Sequence, residues 1–255
     1  GAEDLRVAPH HLYGHVHPAT AYSTGEWARD VEKLVAGGGL DDRRAIFVGG
    51  TGLYFRALLG GLAEMPDIPA TIRDVWRDRL LREGPERLHA VLAARDPETA
   101  LILRATDGQR IARALEVLEA SGRSIRHWQA QVGIPLVDPA TATCLVTDID
   151  RALLHRRIDA RVERMVEEGA IGEVRQIRAL GLDPALPAMK AIGVPEFGAY
   201  LDGTSELPEA VSKVQAATRQ YAKRQLTWFR NQLGAEWVRL PADSERPALL
   251  TMLAR

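Results

Sequence analysis

A hydroxyl and three glycines stand together in the segment Val48-Gly49-Gly50-Thr51-Gly52-Leu53-Tyr54. Glycines at a strand-to-helix junction let backbone amides approach a ligand closely, and a helix N-terminus favours an anion. Thr51 is suited either to cap that helix or to bond to a substrate. A tight turn before a capped helix has the same pattern, so both interpretations stay open. The segment is not a Walker A loop, because no Lys follows in G-x-x-x-x-G-K-[ST] register.

A long helix predicted from Pro208 to about Leu233 carries the most concentrated positive charge. Between Ala210 and Ala235 there is no acidic residue, and the basic ones are Lys213, Arg219, Lys223, Arg224 and Arg230. At about 100° per residue, three of these share a face, and the opposite face is predicted to pack through Val214, Ala217, Tyr221 and Trp228. An acid-free run predicts contact with the phosphates of RNA or of a diphosphate. Salt bridges to acidic residues elsewhere are the alternative.

Two other helices present arginines near candidate partners. The helix that opens at Asp107 places Gln109, Arg110 and Arg113 near its start, where they suit phosphates and base edges. From the pattern alone, pairing with Glu116 or Glu119 is the favoured interpretation. In the helix after Asp150, arginines recur at i, i+4 and i+7, and the pattern favours their neutralisation by interleaved acids. These arginines are Arg157, Arg161 and Arg164, and the acids are Asp159, Glu163 and Glu167.

Metal and thiol chemistry have little support in the sequence. His10, His11, His15 and His17 crowd into eight residues, but no cysteine or second ligand pair accompanies them. We therefore expect ordinary loop and strand histidines and no metal site built by this chain. Cys144, the only cysteine, lies in an apolar strand pattern and is expected to be inert packing.

Composition narrows the class of protein. The 255 residues are 46% hydrophobic and 26% charged, which is typical of a globular protein and not of a disordered one. The net charge of −1 means that a nucleic-acid surface must arise from local clustering of Lys and Arg. One cysteine excludes an internal disulfide framework, and no apolar stretch approaches the ~20 residues that cross a bilayer. We expect a cytoplasmic protein that does not enter a membrane.

The predicted elements indicate an α/β fold interrupted by helices. Ala45-Ile46-Phe47-Val48 is predicted to be a buried strand that turns into a helix near Thr51. Residues 65–140 show helical segments and no strand pattern until Thr141, so this stretch is predicted to be a helical insertion. The α/β core is then predicted at residues 1–64 and 141–255, with long C-terminal helices. The number of strands predicted before Val48 is too small to form a doubly wound sheet.

Five segments together resemble the bacterial tRNA dimethylallyltransferases. They are Pro9 to Leu12, Val48 to Tyr54, Asp107 to Val117, Ala191 to Val194 and, most specific, the thirteen residues Thr218-Arg219-Gln220-Tyr221-Ala222-Lys223-Arg224-Gln225-Leu226-Thr227-Trp228-Phe229-Arg230. The resemblance implies a P-loop NTPase-like core with a parallel sheet and an all-helical insertion that binds tRNA. It also implies transfer of a dimethylallyl group from dimethylallyl diphosphate, with Mg²⁺, to N6 of the adenosine 3′-adjacent to the anticodon.

The resemblance also implies roles for individual residues. Thr51 would touch the tRNA near the target base, and Arg161 matches an arginine linked to the reaction and to the prenyl diphosphate. Candidate diphosphate-binding residues are Gly49, Gly50, Arg161 and Arg219. Candidate tRNA contacts are Thr51, Arg73, Gln109, Arg110, Ile111, Ala112, Arg113, Lys190, Ala191, Ile192, Gly193, Val194, Pro195, Arg219, Lys223, Arg224 and Arg230.

One part of the family's pattern has no counterpart in the sequence. Those enzymes carry a glycine-rich Walker-type loop with Lys and Ser/Thr, and then a strand and an Asp that acts on the adenine N6; neither segment occurs here. We therefore expect these residues alone, acting as a monomer, to grip tRNA without transferring a prenyl group. Rival functions are a prenyltransferase for free adenine nucleotides, a non-catalytic RNA-binding module and a small-molecule P-loop kinase.

Overall fold

The computed structural model of the chain describes residues 4–38 and 44–241. It consists of two compact units. The sheet unit comprises residues 1–55 and 140–255, and the helical unit comprises residues 56–139. The tRNA-binding role predicted for residues 65–140 stays a prediction.

Helices dominate both units. In chain order the described elements are α1 (Asp4–Val7), α2 (Thr24–Ala36), α3 (Gly52–Gly60), α4 (Ala70–Glu83), α5 (Pro85–Arg95), α6 (Pro97–Ile102), α7 (Gly108–Ser121), α8 (Ile125–Gln129), β1 (Cys144–Asp148), α9 (Arg151–Glu167), α10 (Ala170–Ala179), a 3₁₀ helix (Pro187–Lys190), α11 (Val194–Leu201), α12 (Leu207–Gln232) and β2 (Trp237–Pro241). No helix among the described residues combines the length and the apolar character needed to cross a membrane.

The sheet of the described residues is small and parallel. β1 pairs with β2 in a register that places Cys144 beside Trp237 and Asp148 beside Pro241. Parallel neighbours need a long crossover connection, and α9 to α12 provide it. The predicted α/β class is therefore confirmed in its coarse form, a helix-rich chain with a small parallel sheet.

The predicted strand at Ala45–Val48 is wrong. These residues form neither a strand nor a helix, and the side chains of Ile46 and Val48 are largely exposed. An apolar run becomes a buried strand only when neighbouring strands satisfy its backbone and cover its faces. Among the described residues, the sheet contains only β1 and β2, and neither pairs with this segment.

Each unit has its own core. In the sheet unit, Phe197 of α11 is buried among α9, α10 and α12, against Val162, Val174 and Val214. In the helical unit the buried residues lie mainly on α4, α5 and α7, and include Trp76, Leu88, Leu92, Ile111 and Leu115. Truncating a core residue of this size to Ala typically costs about 2–5 kcal/mol. These cores fix the directions in which α7, α9 and α12 present their polar side chains.

Two of the helices that carry candidate site residues, α7 and α9, begin at side-chain caps. The Asp150 carboxylate accepts the Leu153 backbone N–H at 2.9 Å, so α9 starts where the sequence predicted. The Asp107 carboxylate accepts the Arg110 N–H at 3.4 Å at the start of α7. A cap of this kind contributes about 1 kcal/mol and sets the register of the first turn. It therefore also sets which residues follow on each exposed face.

Candidate nucleic-acid interface

The glycine-rich turn before α3 is seated on α12. The Gln225 side-chain amide Nε2 donates a hydrogen bond to the Gly50 carbonyl at 2.7 Å. A Cβ atom at Gly50 would overlap that amide, and a Cβ atom at Gly52 would overlap the ring of Trp228. Neither glycine has a left-handed backbone conformation. Gly52 therefore leaves room for the Trp228 ring, and Gly50 leaves room for the Gln225 amide, which a Cβ atom would displace.

Thr51 lies between these two contacts and is exposed. Its backbone carbonyl accepts the Tyr54 N–H at 2.9 Å, whereas its hydroxyl makes no hydrogen bond to the described residues. Of the two roles open from the sequence, capping by the side chain is absent, and the hydroxyl is available to a ligand. Gly49 is exposed, but the space beside Gly50 is occupied by Gln225, which leaves Gly49 as the more accessible of the two predicted diphosphate contacts.

Aromatic rings surround the start of α3. Trp27 of α2 stacks on Tyr54, with ring centroids 4.5 Å apart and planes at 16°. Burial, and next the neighbouring Tyr221, raise the pKa of the Tyr54 hydroxyl, so this group stays protonated at neutral pH. Tyr221 is exposed rather than packed as the helical pattern predicted, and the Arg224 guanidinium lies 5.6 Å from its ring centroid.

Two of the five basic residues of α12 form salt bridges. Lys213 Nζ lies 2.7 Å from the Glu209 carboxylate, and Arg219 pairs with Asp159 of α9. Glu209 stands just before the acid-free run, and Asp159 is distant in sequence. The alternative of salt bridges to outside acids is therefore the correct one for Lys213 and Arg219. A phosphate or diphosphate at Arg219 would have to compete with Asp159.

The other three basic residues of α12 are exposed and carry no salt bridge to the described residues. They are Lys223, Arg224 and Arg230. The first two also line a shallow groove with amide, hydroxyl and aromatic side chains, namely Gln220, Thr227, Trp228, Asn231 and Gln232. Proteins bind single-stranded RNA with cations that contact the phosphate backbone and with amides and aromatic rings that contact the bases. The groove contains all three kinds of group.

The three arginines of α9 that the sequence pattern singled out are also unpaired within the described ranges. Arg157, Arg161 and Arg164 are exposed, and no described carboxylate lies within salt-bridge distance. The predicted neutralisation by interleaved acids is therefore wrong. Asp159 and Glu163 lie two residues from Arg157 or Arg161, and residues two apart on a helix do not face each other. Asp159 is turned toward Arg219 of α12. Arg161 is left available to an anion, which is compatible with its predicted role at the prenyl diphosphate.

In the helical unit, the arginines at the start of α7 are paired. Arg110 Nε lies 3.5 Å from the Asp107 carboxylate, in an exposed pair of little energetic value. Arg113 Nη1 donates to Glu116 at 3.3 Å, and Arg77 of α4 lies 3.8 Å from the other oxygen of the same carboxylate. The Glu116 side chain is 5% exposed, so these two arginines cover a buried charge.

The remaining predicted contacts of the helical unit differ in accessibility. Ile111 and Ala112 are buried in the core, so their side chains position α7, and their predicted tRNA contacts stay predictions. Gln109 is exposed. Arg73 is half-buried, and its guanidinium donates to the Ile68 carbonyl at 3.3 Å. Gln109 and Arg110 are therefore the most accessible members of this set.

The predicted segment Lys190–Pro195 forms the turn between the 3₁₀ helix and α11. Gly193 has a φ of 102°, a conformation that favours glycine, and its N–H donates to the Glu196 carboxylate at 2.8 Å. The exposed residues are Lys190, Ala191, Ile192 and Pro195, whereas Gly193 is buried and Val194 half-buried. The turn thus presents one cation and a small apolar surface.

The histidine cluster forms polar contacts of its own. His15 Nε2 lies 3.0 Å from the Tyr22 hydroxyl, which donates to Asp30 at 2.7 Å. The Tyr22 hydrogen bond lowers the pKa of the Asp30 carboxyl. No three His, Cys, Asp or Glu side chains in the described part of the chain are grouped to hold a metal ion. Burial raises the pKa of the Cys144 thiol, so this group is a poor nucleophile.

Comparison with known proteins places the chain among prenyltransferases. A family model described as IPP transferase matches residues 1–232. The chain belongs to the IPP transferase family. The tRNA dimethylallyltransferase of Mesorhizobium japonicum is 58% identical over 254 residues, which are 99% of this chain and 79% of that relative. The resemblance found in the sequence is thereby confirmed, and this IPP transferase family member is an enzyme.

Solved structures agree with this assignment. The full-length tRNA isopentenylpyrophosphate transferase of Bacillus halodurans is 28% identical, with a TM-score of 0.64 over 99% of this chain and 78% of that one. A eukaryotic dimethylallyltransferase acting on tRNA shares the fold, with a TM-score of 0.75 at 21% identity over 95% of this chain and 62% of that one. The described residues of this IPP transferase therefore fold as their relatives do.

The contact between the glycine-rich turn and α12 was not predicted from the sequence. Gly50 and Gln225 are 175 positions apart, and no periodic pattern connects them. The only signal was the glycine spacing itself, which predicts a close approach without saying what approaches. The roles predicted for the individual site residues stay predictions.

Proposed function

We propose that this enzyme transfers a dimethylallyl group from dimethylallyl diphosphate to N6 of the adenosine 3′-adjacent to the anticodon in tRNA. The observation that carries the proposal is the combination on α12. One helix seats the turn that carries Thr51, lines a groove of amide and aromatic side chains, and presents the unpaired cations Lys223, Arg224 and Arg230. The names of the relatives support the same substrate.

The described residues fit the acceptor side of the reaction best. Phosphates of the anticodon arm bind the free cations of α12, and Lys190, Gln109 and Arg110 provide further exposed contacts. Thr51 offers its free hydroxyl near the target base. Adenine N6 is a weak nucleophile, so close positioning of this base is itself a large part of catalysis. The base must leave its stack to react, and a loop nucleotide does so at little cost.

On the donor side, the chain supplies positive charge. The diphosphate leaves the allylic carbon readily when cations neutralise the charge that develops on it. Arg161, with Arg157 and Arg164 on the same helix, is free to bind the diphosphate. Arg219 can bind it only after its salt bridge to Asp159 breaks. Mg²⁺ is the cofactor of this proposal, since it binds the phosphates of a diphosphate substrate. A P-loop NTPase-like core, a monomeric state and a cytoplasmic location belong to the same proposal.

A chimera tests the function of these residues directly. The 255 residues replace the matching part of the Mesorhizobium japonicum relative, and prenyl transfer from dimethylallyl diphosphate to tRNA is measured by mass spectrometry of the modified nucleoside. We expect transfer by the chimera and about tenfold or greater loss on Thr51→Ala, the order expected when a positioned contact to the reacting base is lost. Lack of transfer by a folded chimera would contradict the proposal.

The rival functions give different results in parallel assays. We expect the 255 residues alone to bind an anticodon stem-loop without transfer, because they contain no Walker-type loop. Turnover by these residues alone would disprove that expectation. Transfer to AMP by the chimera would favour a nucleotide prenyltransferase, and stem-loop binding with an inactive chimera would favour an RNA-binding module.

A further inference from the structure

We infer that Gln225 and Trp228 are positioning residues that hold Thr51 in place for the target base, an inference that rests on the proposed function. Thr51 is flanked by two glycines, and each of them touches a different side chain of α12. No other described side chain makes a hydrogen bond to this turn. The position of the Thr51 hydroxyl is therefore set by α12.

Gln225 fixes the residue before Thr51. Its amide is half-buried and donates to the Gly50 carbonyl at 2.7 Å, a good length for an N–H···O bond. The carbonyl of Gly50 belongs to the peptide that enters Thr51, so this bond orients the threonine backbone directly. A side chain at Gly50 would displace the amide. The contact thus requires both the glutamine and the glycine.

Trp228 fixes the residue after Thr51. Its six-membered ring packs against the Gly52 Cα so closely that a Cβ atom would overlap it. Gln225 and Trp228 are three residues apart, so they lie on one face of α12, one helical turn from each other. The two contacts therefore act as two points of support on either side of Thr51.

The same helix connects this support to the RNA-binding groups. Trp228 lines the groove together with Lys223 and Arg224. RNA phosphates bound by those cations are held at a distance from Thr51 that α12 determines. Because one helix contacts both the RNA backbone and the turn, it holds the target base beside the threonine hydroxyl. Neither contact alone would fix the distance between the base and the hydroxyl.

The test measures how the chain distinguishes the target base. Two anticodon stem-loop RNAs are compared, one with adenosine 3′-adjacent to the anticodon and one with an abasic nucleotide there. The readout is the Kd ratio, defined as the Kd of the abasic RNA divided by the Kd of the RNA with adenosine. Gln225→Glu keeps the size of the side chain and removes the donor, and Gln225→Ala removes the side chain. Gln176→Ala is the matched control, since Gln176 is an exposed glutamine of α10 without hydrogen bonds to the described residues.

We expect Thr51→Ala to lower the Kd ratio about fivefold, the value of one neutral hydrogen bond. Both Gln225 variants are expected to lower it similarly, and Gln176→Ala not at all. If Gln225 acts through Thr51, the Thr51→Ala/Gln225→Glu double variant loses about fivefold in total, rather than the roughly 25-fold product of independent effects. A purely structural role would lower the melting temperature and leave the ratio unchanged.

Three outcomes would overturn the inference. The first is a Gln225 variant that keeps the full Kd ratio while Thr51→Ala loses it. The second is multiplicative loss in the double variant. The third is an intact chain with no preference for adenosine, which removes the role of Thr51. Failure of the intact chain to bind either RNA is a different result, because it rejects the proposed function and the inference with it.

Discussion

Two groups of cations in this molecule differ in what surrounds them. On α9 and α12 of the sheet unit, the cations that the sequence pattern singled out, except Lys213 and Arg219 of α12, are exposed and have no salt bridge to the described residues: Arg157, Arg161, Arg164, Lys223, Arg224 and Arg230. On α4 and α7 of the helical unit, the arginines beside the predicted tRNA contacts are paired: Arg77 and Arg113 with Glu116, and Arg110 with Asp107. Cationic side chains are therefore available to bind an anion on α9 and α12, whereas the arginines on α4 and α7 are already paired with carboxylates.

The difference shows what a charge pattern does and does not indicate. An unpaired cation can accept a phosphate without losing a partner, whereas Arg113 would have to leave a buried carboxylate. An exposed pair such as Arg110–Asp107 stabilises the fold little and can be exchanged for a phosphate. The binding energy for tRNA is thus expected to come mainly from the sheet unit, with Arg110 as a weaker contributor.

The largest expected effect follows from removing the free cations of α12. The triple variant Lys223→Ala/Arg224→Ala/Arg230→Ala is expected to weaken binding of an anticodon stem-loop about 100-fold, at about 1 kcal/mol for each lost phosphate contact. Fluorescence anisotropy with a labelled RNA measures this. The control is Lys213→Ala, because Lys213 lies on the same helix but is paired with Glu209. An equal loss of RNA affinity in the control and in the triple variant would show that unpaired and paired cations contribute alike.

A second prediction concerns the turn that α12 supports. Gly52→Ala is expected to lower the free energy of unfolding by about 2 kcal/mol, because the new methyl group overlaps the Trp228 ring. Urea unfolding measures the change. In a background with Trp228→Leu, which makes room, the same substitution is expected to cost far less. Equal costs in both backgrounds would show that the ring is not what requires glycine.

A third prediction concerns the paired arginines. Arg113→Ala is expected to reduce the free energy of unfolding by about 1 kcal/mol, since Glu116 keeps only Arg77 at 3.8 Å. Stem-loop affinity of the folded variant is expected to change less than threefold. Lys223→Ala serves as the counterpart, with a larger loss of affinity and no loss of stability. The reverse result, a large affinity loss at Arg113, would place the main phosphate contacts in the helical unit.

The sequence was sufficient for the helices and insufficient for the contacts between them. The periodicity of α7, α9 and α12 and the caps of α7 and α9 are local, so their bounds follow from neighbouring residues. The exposed run at Ala45–Val48 was misassigned because a strand depends on partners elsewhere in the chain. The pairs Arg219–Asp159 and Gln225–Gly50 join residues that are distant in sequence, and no spacing rule predicts them.

The smallest predicted effect is a pH dependence in the helical unit. Burial acts to raise the pKa of Asp96, but hydrogen bonds from the Thr99 hydroxyl, at 2.6 Å, and its N–H outweigh it and lower the pKa. A lowered pKa contributes stability above the unfolded value, which is lost as pH falls below about 4. Urea unfolding between pH 5 and pH 3 is expected to show a shallower loss for Asp96→Asn. An unchanged slope would contradict this.

The salt dependence of stem-loop binding tests the central contrast most directly. Each phosphate-contacting cation contributes a slope of about one to the plot of log Kd against log salt concentration. We expect the triple variant of Lys223, Arg224 and Arg230 to lower the slope by about two to three, and Arg113→Ala to leave it unchanged. A slope that is unaffected by the α12 variant but falls with Arg113→Ala would contradict the assignment of tRNA binding to the unpaired cations.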